Sequence, residues 1–140
     1  MPNSYGFIIL DLKKNATVLV ESSKGNLSYP KGKIEDTDDS NIRCALRELR
    51  EETGITEELF DIVPNNILSE LKKDGILTIT YYVGILKDIE FNQFSYDSDE
   101  LKSVNWYQFD TINKLNNLKE SRKNIFNKII QLKEKKWIVF

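Results

Sequence analysis

A change of hydrophobic periodicity in the middle of the chain constrains its fold most. The apolar residues of segment 41–53 recur at intervals of three and four, at Ile42, Ala45, Leu46 and Leu49. This spacing predicts an amphipathic helix with one apolar face. Asp39, Ser40 or Asn41 can cap its start, and Gly54 suits the left-handed position that often follows a helix end. Such a helix must pack that face against another element.

Segments typical of β-strands lie on both sides of this helix. They comprise a hairpin over residues 6–21, a strand over residues 76–86 that we expect to be central, and a short strand within residues 103–109. The segment 29–40 is predicted to be a loop, and 56–72 fits neither pattern apart from a turn at 64–66. Residues 118–136 predict a final helix. Strands with interspersed helices indicate an α/β or α+β sandwich, and we expect one domain over residues 1–140.

The residue types that are missing exclude several chemistries. The 140 residues include no histidine, which excludes Ser-His-Asp and Cys-His nucleophiles and HExxH zinc sites. The single cysteine, Cys44, cannot form an internal disulfide or a thiolate zinc site. No signal peptide and no apolar run of about 18 residues is evident, so we expect a cytoplasmic protein without a membrane partner. The net charge of −2 does not indicate binding to DNA.

Three carboxylates lie on one stripe of the predicted helix. Glu48 and Glu52 are four residues apart, and Glu51 lies between them. Such oxygen clusters suit Mg²⁺ or Mn²⁺, which keep positions open for water and phosphates. Arg47 is placed to pair with Glu51 and hold it in one rotamer. From spacing alone, a solvated helix face is an equally good interpretation.

The preceding loop extends this pattern. Gly32, Arg47, Glu48, Leu49, Glu51, Glu52, Gly54 and Ile55 match the Nudix signature Gly-x5-Glu-x7-Arg-Glu-U-x-Glu-Glu-x-Gly-U, where U is aliphatic. The chain therefore resembles the Nudix hydrolase family. One departure is an extra residue in the loop: Asp38 keeps the family's spacing from Gly32, whereas Asp39 keeps its spacing to Arg47.

The resemblance implies a fold and a metal site. The fold would be the Nudix α/β/α sandwich, a mixed sheet between helices. Glu48, Glu51 and Glu52 would bind Mg²⁺ or Mn²⁺ together with the carbonyl of Gly32, and Glu51 or Glu52 would polarise the attacking water. Metal-activated water needs no covalent enzyme intermediate, which agrees with the absence of histidine.

A further acid outside the signature is expected by the same resemblance. Glu100 lies six residues before Trp106, where family members often carry a general base or an extra metal ligand. The alternative is a solvated loop acid. Glu35, three residues after Gly32, has the same two interpretations.

The loop that includes Gly32 also suggests a substrate. Tyr29-Pro30-Lys31-Gly32-Lys33 resembles the loops of dinucleoside tetraphosphate hydrolases, diphosphoinositol polyphosphate hydrolases and mRNA-decapping enzymes. Lys31 and Lys33 are candidates for binding phosphates. Tyr29 and Tyr82 are candidates for stacking on a base, although Tyr81 and Tyr82 point to opposite faces of their strand, so at most one of that pair can do so.

Several functions remain open at this point. Hydrolysis of a dinucleoside polyphosphate is the leading interpretation, because the compact chain resembles those hydrolases. Removal of mRNA caps is the alternative. It is favoured by the residues in and around the signature, which resemble those of decapping enzymes, and by the basic final helix, which includes Arg122. Hydrolysis of diphosphoinositol polyphosphates, or an inactive nucleotide-sensing module, also remains possible. The expected partner is a nucleotide or another small molecule with a diphosphate, and capped RNA is a further possibility. We expect the protein to be a monomer or a homodimer. The apolar tail 137–140 either packs on the domain or contacts a partner.

Overall fold

A mixed β-sheet forms the centre of the molecule in the computed structural model, which describes residues 4–71 and 74–134. The strands in these residues are β1 (Ser4–Asp11), β2 (Ala16–Ser22), β3 (Leu27–Ser28), β4 (Lys31–Lys33), β5 (Phe60–Leu71), β6 (Leu77–Leu86) and β7 (Leu101–Gln108). The helices are α1 (Asn41–Thr53) and α2 (Glu120–Glu134), with short 3₁₀ helices at Glu57–Leu59 and Phe109–Lys114. The tail 137–140 lies outside the described residues.

The sheet order is β3-β2-β1-β6-β5, with β4 paired to β1 and β7 paired to β2. Strand β6 runs parallel to β1 and antiparallel to β5, so the sheet is mixed and β6 is central, as predicted. The segment 29–40 differs from the prediction because it contains β4. Backbone pairing with β1 makes this short strand, and no hydrophobic pattern accompanies it.

The irregular pairing of strand β5 explains why segment 56–72 matched neither the helix pattern nor the strand pattern. Its pairing with β6 is interrupted between Ile62 and Ile67, and Asn65 there has a positive φ of 63°. Pro64 lies in the same interruption, and proline is tolerated only at bulges and on edge strands such as this one. The predicted turn is thus an irregularity inside a strand.

Two apolar layers cover the faces of the sheet. Phe7 and Ile9 of β1 pack towards Ala45 and Leu49 of α1. Ile8 and Leu10 point the other way, and their cluster includes residues of α2: Ile125, Phe126 and Ile129. Because both faces are covered, β1 reads as a continuous apolar run in the sequence. Within the described residues, neither helix is long and apolar enough to span a bilayer.

Candidate active site

Helix α1 places its acidic stripe towards β4. The Ser40 hydroxyl accepts a hydrogen bond from the Arg43 amide (3.3 Å), which caps the first turn. Gly54 ends the helix with a φ of 83°, a left-handed value that favours glycine. Burial of Ala45 and Leu49 against the sheet fixes the rotation of the helix about its axis. The carboxylates of Glu48, Glu51 and Glu52 therefore face away from that apolar layer, as predicted.

Gly32 gives the Glu48 carboxylate its space. A Cβ atom at residue 32 would lie 1.6 Å from Oε2 of Glu48, so any other side chain would displace this group. The Gly32 carbonyl accepts a weak hydrogen bond from the Cys44 thiol (3.6 Å). Next to it, the Lys31 amide donates to Oε1 of Glu52 (3.1 Å). Strand β4 thus contacts two of the three acids.

Arg47 lies at the centre of the acidic cluster. Its shortest contacts go to Asp38, with Nε to Oδ1 at 2.8 Å and Nη2 to Oδ2 at 2.9 Å. Its Nη1 is 3.3 Å from Glu51 and 3.4 Å from Glu48. The predicted pair with Glu51 is present, but the two-point contact with Asp38 is tighter and sets the position of the guanidinium.

Asp38 resolves the ambiguity that the extra loop residue creates. Its side chain is only 5% exposed, and it also accepts from the Glu35 amide (2.8 Å), whereas Asp39 is exposed. The hydrogen bonds from Arg47 and from the Glu35 amide lower the pKa of Asp38 to about 2. Sequence reasoning did not choose between the two aspartates. The spacing from Gly32 was the signal that identifies Asp38.

Two acids of the stripe are buried without enough positive charge. Burial raises the pKa of Glu48 to about 7, and the neighbouring Glu51 adds to the rise, while Arg47 opposes it. Burial likewise raises the pKa of Glu52 to about 7; the Lys31 amide opposes this rise, and the charges of Glu48 and Glu100 add to it. Both shifts disfavour the charged carboxylate.

The other predicted site residues fall around these acids. Glu100 is exposed at the start of β7, yet it lies close enough for its charge to act on Glu52. Lys33 is exposed and its carbonyl accepts from Arg47 (3.1 Å). Tyr82 is half-buried on the α1 face of the sheet, with its ring centroid 5.6 Å from that of Phe7.

The structure corrects two expectations. Tyr29 is fully buried and its hydroxyl donates to the Arg122 carbonyl (2.8 Å), so it is a core residue and cannot stack on a substrate base. Arg122 is buried too and pairs with Glu70 (3.0 Å), so it contributes nothing to a basic surface on α2. Both expectations rested on residue type and position along the chain, which do not report burial.

Comparison with known proteins agrees with this geometry. The model of the NUDIX domain family matches residues 2–129. The chain belongs to the Nudix family. The mRNA decapping complex subunit 2 of Schizosaccharomyces pombe is 32% identical over 142 residues, which cover 95% of this chain and 18% of that protein. The mRNA-decapping protein g5R of African swine fever virus (Warthog isolate) is 39% identical over 62 residues, which cover 41% of this chain and 25% of the viral protein.

This Nudix chain thus spans about a quarter or less of the length of these two curated relatives. Among solved structures, a binary complex of the Caenorhabditis elegans Ap4A hydrolase superposes with a TM-score of 0.78 at 18% identity, covering 94% of this chain and 98% of that one. The likeness confirms the predicted α/β/α sandwich with a mixed sheet.

The donor set of this Nudix site fits a hard divalent cation. All candidate ligands are oxygens, two of them on carboxylates whose negative charge is insufficiently matched. Within residues 4–71 and 74–134, no three acidic or thiol groups already stand in a metal-binding arrangement. Arg47 lies within 3.4 Å of both Glu48 and Glu51. To bind a cation, the Glu51 side chain, which is 48% exposed, would have to rotate away from Arg47.

Proposed function

We propose that this chain hydrolyses a phosphoric anhydride bond in a substrate that joins two nucleosides through a 5′–5′ polyphosphate bridge. One observation carries the proposal: Glu48 and Glu52 are held side by side and largely buried, and this burial raises the pKa of each to about 7. A pair of acids in that state is suited to a cation and its bound phosphates.

Mg²⁺ or Mn²⁺ is the proposed cofactor. Glu48, Glu51 and Glu52 would hold it, and the Gly32 carbonyl would join them on releasing the Cys44 thiol. When bound, such an ion neutralises phosphate charge and lowers the pKa of a coordinated water.

The side chains around the cation have distinct proposed roles. Glu52 accepts from the Lys31 amide through Oε1, which leaves Oε2 to orient the attacking water or take its proton. Glu100 is the second candidate for the proton, because its charge reaches Glu52 from the side of β7. Lys31 and Lys33, which flank Gly32 in β4, are the proposed contacts to phosphates, and Tyr82 on the α1 face of the sheet is a proposed contact to a base.

Arg47 and Asp38 are proposed as positioning residues. The guanidinium is held by two short contacts to Asp38, and from there it reaches Glu48 and Glu51. A fixed arginine limits the rotamers of both acids without touching the substrate, which keeps the donor set organised before a cation arrives.

Capped RNA is the first candidate substrate. Both curated relatives described above are named for mRNA decapping, and one of them aligns with 95% of this chain. A dinucleoside tetraphosphate is the second candidate, supported by the structural likeness to an Ap4A hydrolase. The two share a bridge of phosphates between two 5′ carbons, so one metal site suits either.

The test is Mg²⁺-dependent turnover of a panel: m7GpppN-capped RNA, diadenosine tetraphosphate and a diphosphoinositol polyphosphate. Glu52→Gln serves as the blank. Glu120→Gln, an exposed acid of α2, serves as the matched control. Release of m7GDP supports decapping, and release of ATP plus AMP supports the second candidate. Turnover of the inositol compound alone would reject a substrate with two nucleosides joined by phosphates. No turnover of any substrate would indicate an inactive nucleotide-sensing module.

A further inference from the structure

A cleft of about 510 Å³ lies between segment 92–96 and strand β7, and the proposed function gives it no role. Its lining residues are Asn92, Gln93, Phe94, Tyr96, Val104, Asn105 and Trp106. The cleft is shallow and largely open to solvent. We propose that this cleft binds a nucleobase of the substrate, an inference that rests on the proposed function.

The aromatic wall of the cleft is held in place from outside. The Trp106 indole N–H donates to the Phe91 carbonyl, which joins β7 to the start of the segment. The Phe94 ring lies 5.9 Å from the Trp106 ring and 5.6 Å from the Phe91 ring, measured between centroids. Each of these three rings is only partly buried. A stacking surface that is already ordered loses little entropy when a flat ligand binds.

One hydrogen bond attaches the cleft segment to the end of α1, and the turn that follows the segment carries Glu100. The Ser95 amide donates to the Thr53 carbonyl (3.0 Å), one residue after Glu52. At its other end, a tight turn in which the amides of Glu100 and Leu101 both donate to the Asp97 carbonyl (3.0 Å each) leads into β7. Glu100 therefore stands on the turn that connects the two walls. A base in the cleft would direct its ribose and phosphates towards Glu52 and Glu100.

The chemistry of the lining suits a nucleobase better than a sugar or a lipid. Phe94 and Trp106 offer π-faces, on which every base can stack. The exposed amides of Asn92 and Gln93 carry donors and acceptors for the edges of a base. Among the residues that the structure describes, no acidic or basic side chain lines the cleft, so the charged groups that would recognise phosphates lie outside it.

Binding to this cleft is measurable without turnover. The sequence contains two tryptophans, so Trp137→Phe leaves Trp106 as the only indole reporter. This variant is titrated with AMP, with GMP and with ribose 5-phosphate, which lacks a base. We expect saturable quenching by one or both nucleotides and none by ribose 5-phosphate. Equal responses to all three, or no saturable response to either nucleotide, would overturn the proposal.

Phe94→Leu in the same background removes a π-face and keeps an apolar side chain. The expected result is a loss of nucleotide affinity of roughly 5- to 150-fold, the usual value of one stacked base. Phe109→Leu is the matched control, because Phe109 packs against Phe126 in the apolar layer of α2. Unchanged affinity in Phe94→Leu would contradict the proposal. Nucleotide binding without turnover would instead reject the proposed hydrolysis alone.

Discussion

Both faces of the sheet bury charged groups, but the pairing of these groups with opposite charges differs between the two faces. On the α2 face, Glu70 pairs with Arg122 at 3.0 Å and also accepts from the Tyr81 hydroxyl at 3.1 Å. Arg122 donates in addition to the Leu27 carbonyl (2.9 Å), so each charge has an opposite partner and further hydrogen bonds. The network joins α2 to β3, β5 and β6.

On the α1 face, the charge of Lys31 acts on Glu52, and Arg47 faces four other acids. Its contacts with Asp38, Glu48, Glu51 and Glu35 range from 2.8 to 3.6 Å. Burial, which these cations only partly offset, raises the pKa values of Glu48 and Glu52 to about 7. The comparison teaches that burial of charge alone does not indicate function. A matched network holds the fold, whereas an unmatched one is poised for a charged ligand.

The sharpest test of this contrast is Glu52→Gln. If the acid is kept for chemistry, the turnover number falls roughly 10²- to 10⁴-fold, the usual value of a positioned general base. The melting temperature does not fall, because the change removes an unmatched charge and the amide oxygen still accepts from Lys31. Turnover on the best panel substrate and a thermal melt check both. A variant with a lower melting temperature and unchanged turnover would show that Glu52 supports the fold and not the chemistry.

The opposite pattern is expected for Glu70→Ala on the α2 face. The free energy of unfolding, measured by urea titration, should fall by roughly 3–5 kcal/mol, because Arg122 is left buried without its partner. The double variant Glu70→Leu with Arg122→Met removes both charges and should recover most of that loss. Turnover per folded molecule should stay near wild type. A large drop in turnover at full stability would place this pair in the active site.

A third comparison lies within the loop before α1. Asp38→Asn weakens the two-point contact with Arg47, and activity should fall roughly 10- to 100-fold, as for other residues that orient metal ligands. Asp39→Asn is the control, since Asp39 is exposed beside it. Activity against Mg²⁺ concentration separates weaker metal binding from slower chemistry. Equal effects of the two substitutions would show that the loop register assigned here is wrong.

The smallest effect concerns pH. In metal-free protein, Glu48 and Glu52 bind protons up to about pH 7, whereas the unfolded chain releases them near pH 4.5. The folded state therefore holds more protons in this window, and stability falls as pH rises from about 4.5 to about 7. The lowered pKa of Asp38 acts in the opposite direction, but only between about pH 4 and pH 2.

Thermal melts in a chelator at pH 5 and pH 8 would measure this as a lower melting temperature at pH 8. Mg²⁺ should raise the melting temperature more at pH 8, where the acids are charged. Glu52→Gln should reduce the drop. Parallel curves for the variant and the wild type would contradict the role given to this acid.

The sequence predicted the parts of the site that depend on local spacing. Helix α1 begins and ends where predicted, because its apolar period, its Ser40 cap and Gly54 act over a few neighbouring residues. The acidic stripe and the glycine before it follow from the same local pattern. The hairpin of β1 and β2 and the central β6 were predicted equally well, since their apolar runs are continuous.

Contacts between distant segments were beyond such reasoning. Whether Asp38 or Asp39 binds Arg47 depends on how the loop closes over the helix, and burial of Tyr29 depends on α2, which lies 93 residues along the chain at Arg122. The sequence by itself determined that three carboxylates share one stripe of a helix, because helical spacing aligns those acids; the resemblance to the Nudix family, not the spacing, adds the prediction of a metal site. Only the tertiary structure decided which acids lack a counter-charge, because long-range packing sets both burial and the neighbours that oppose it.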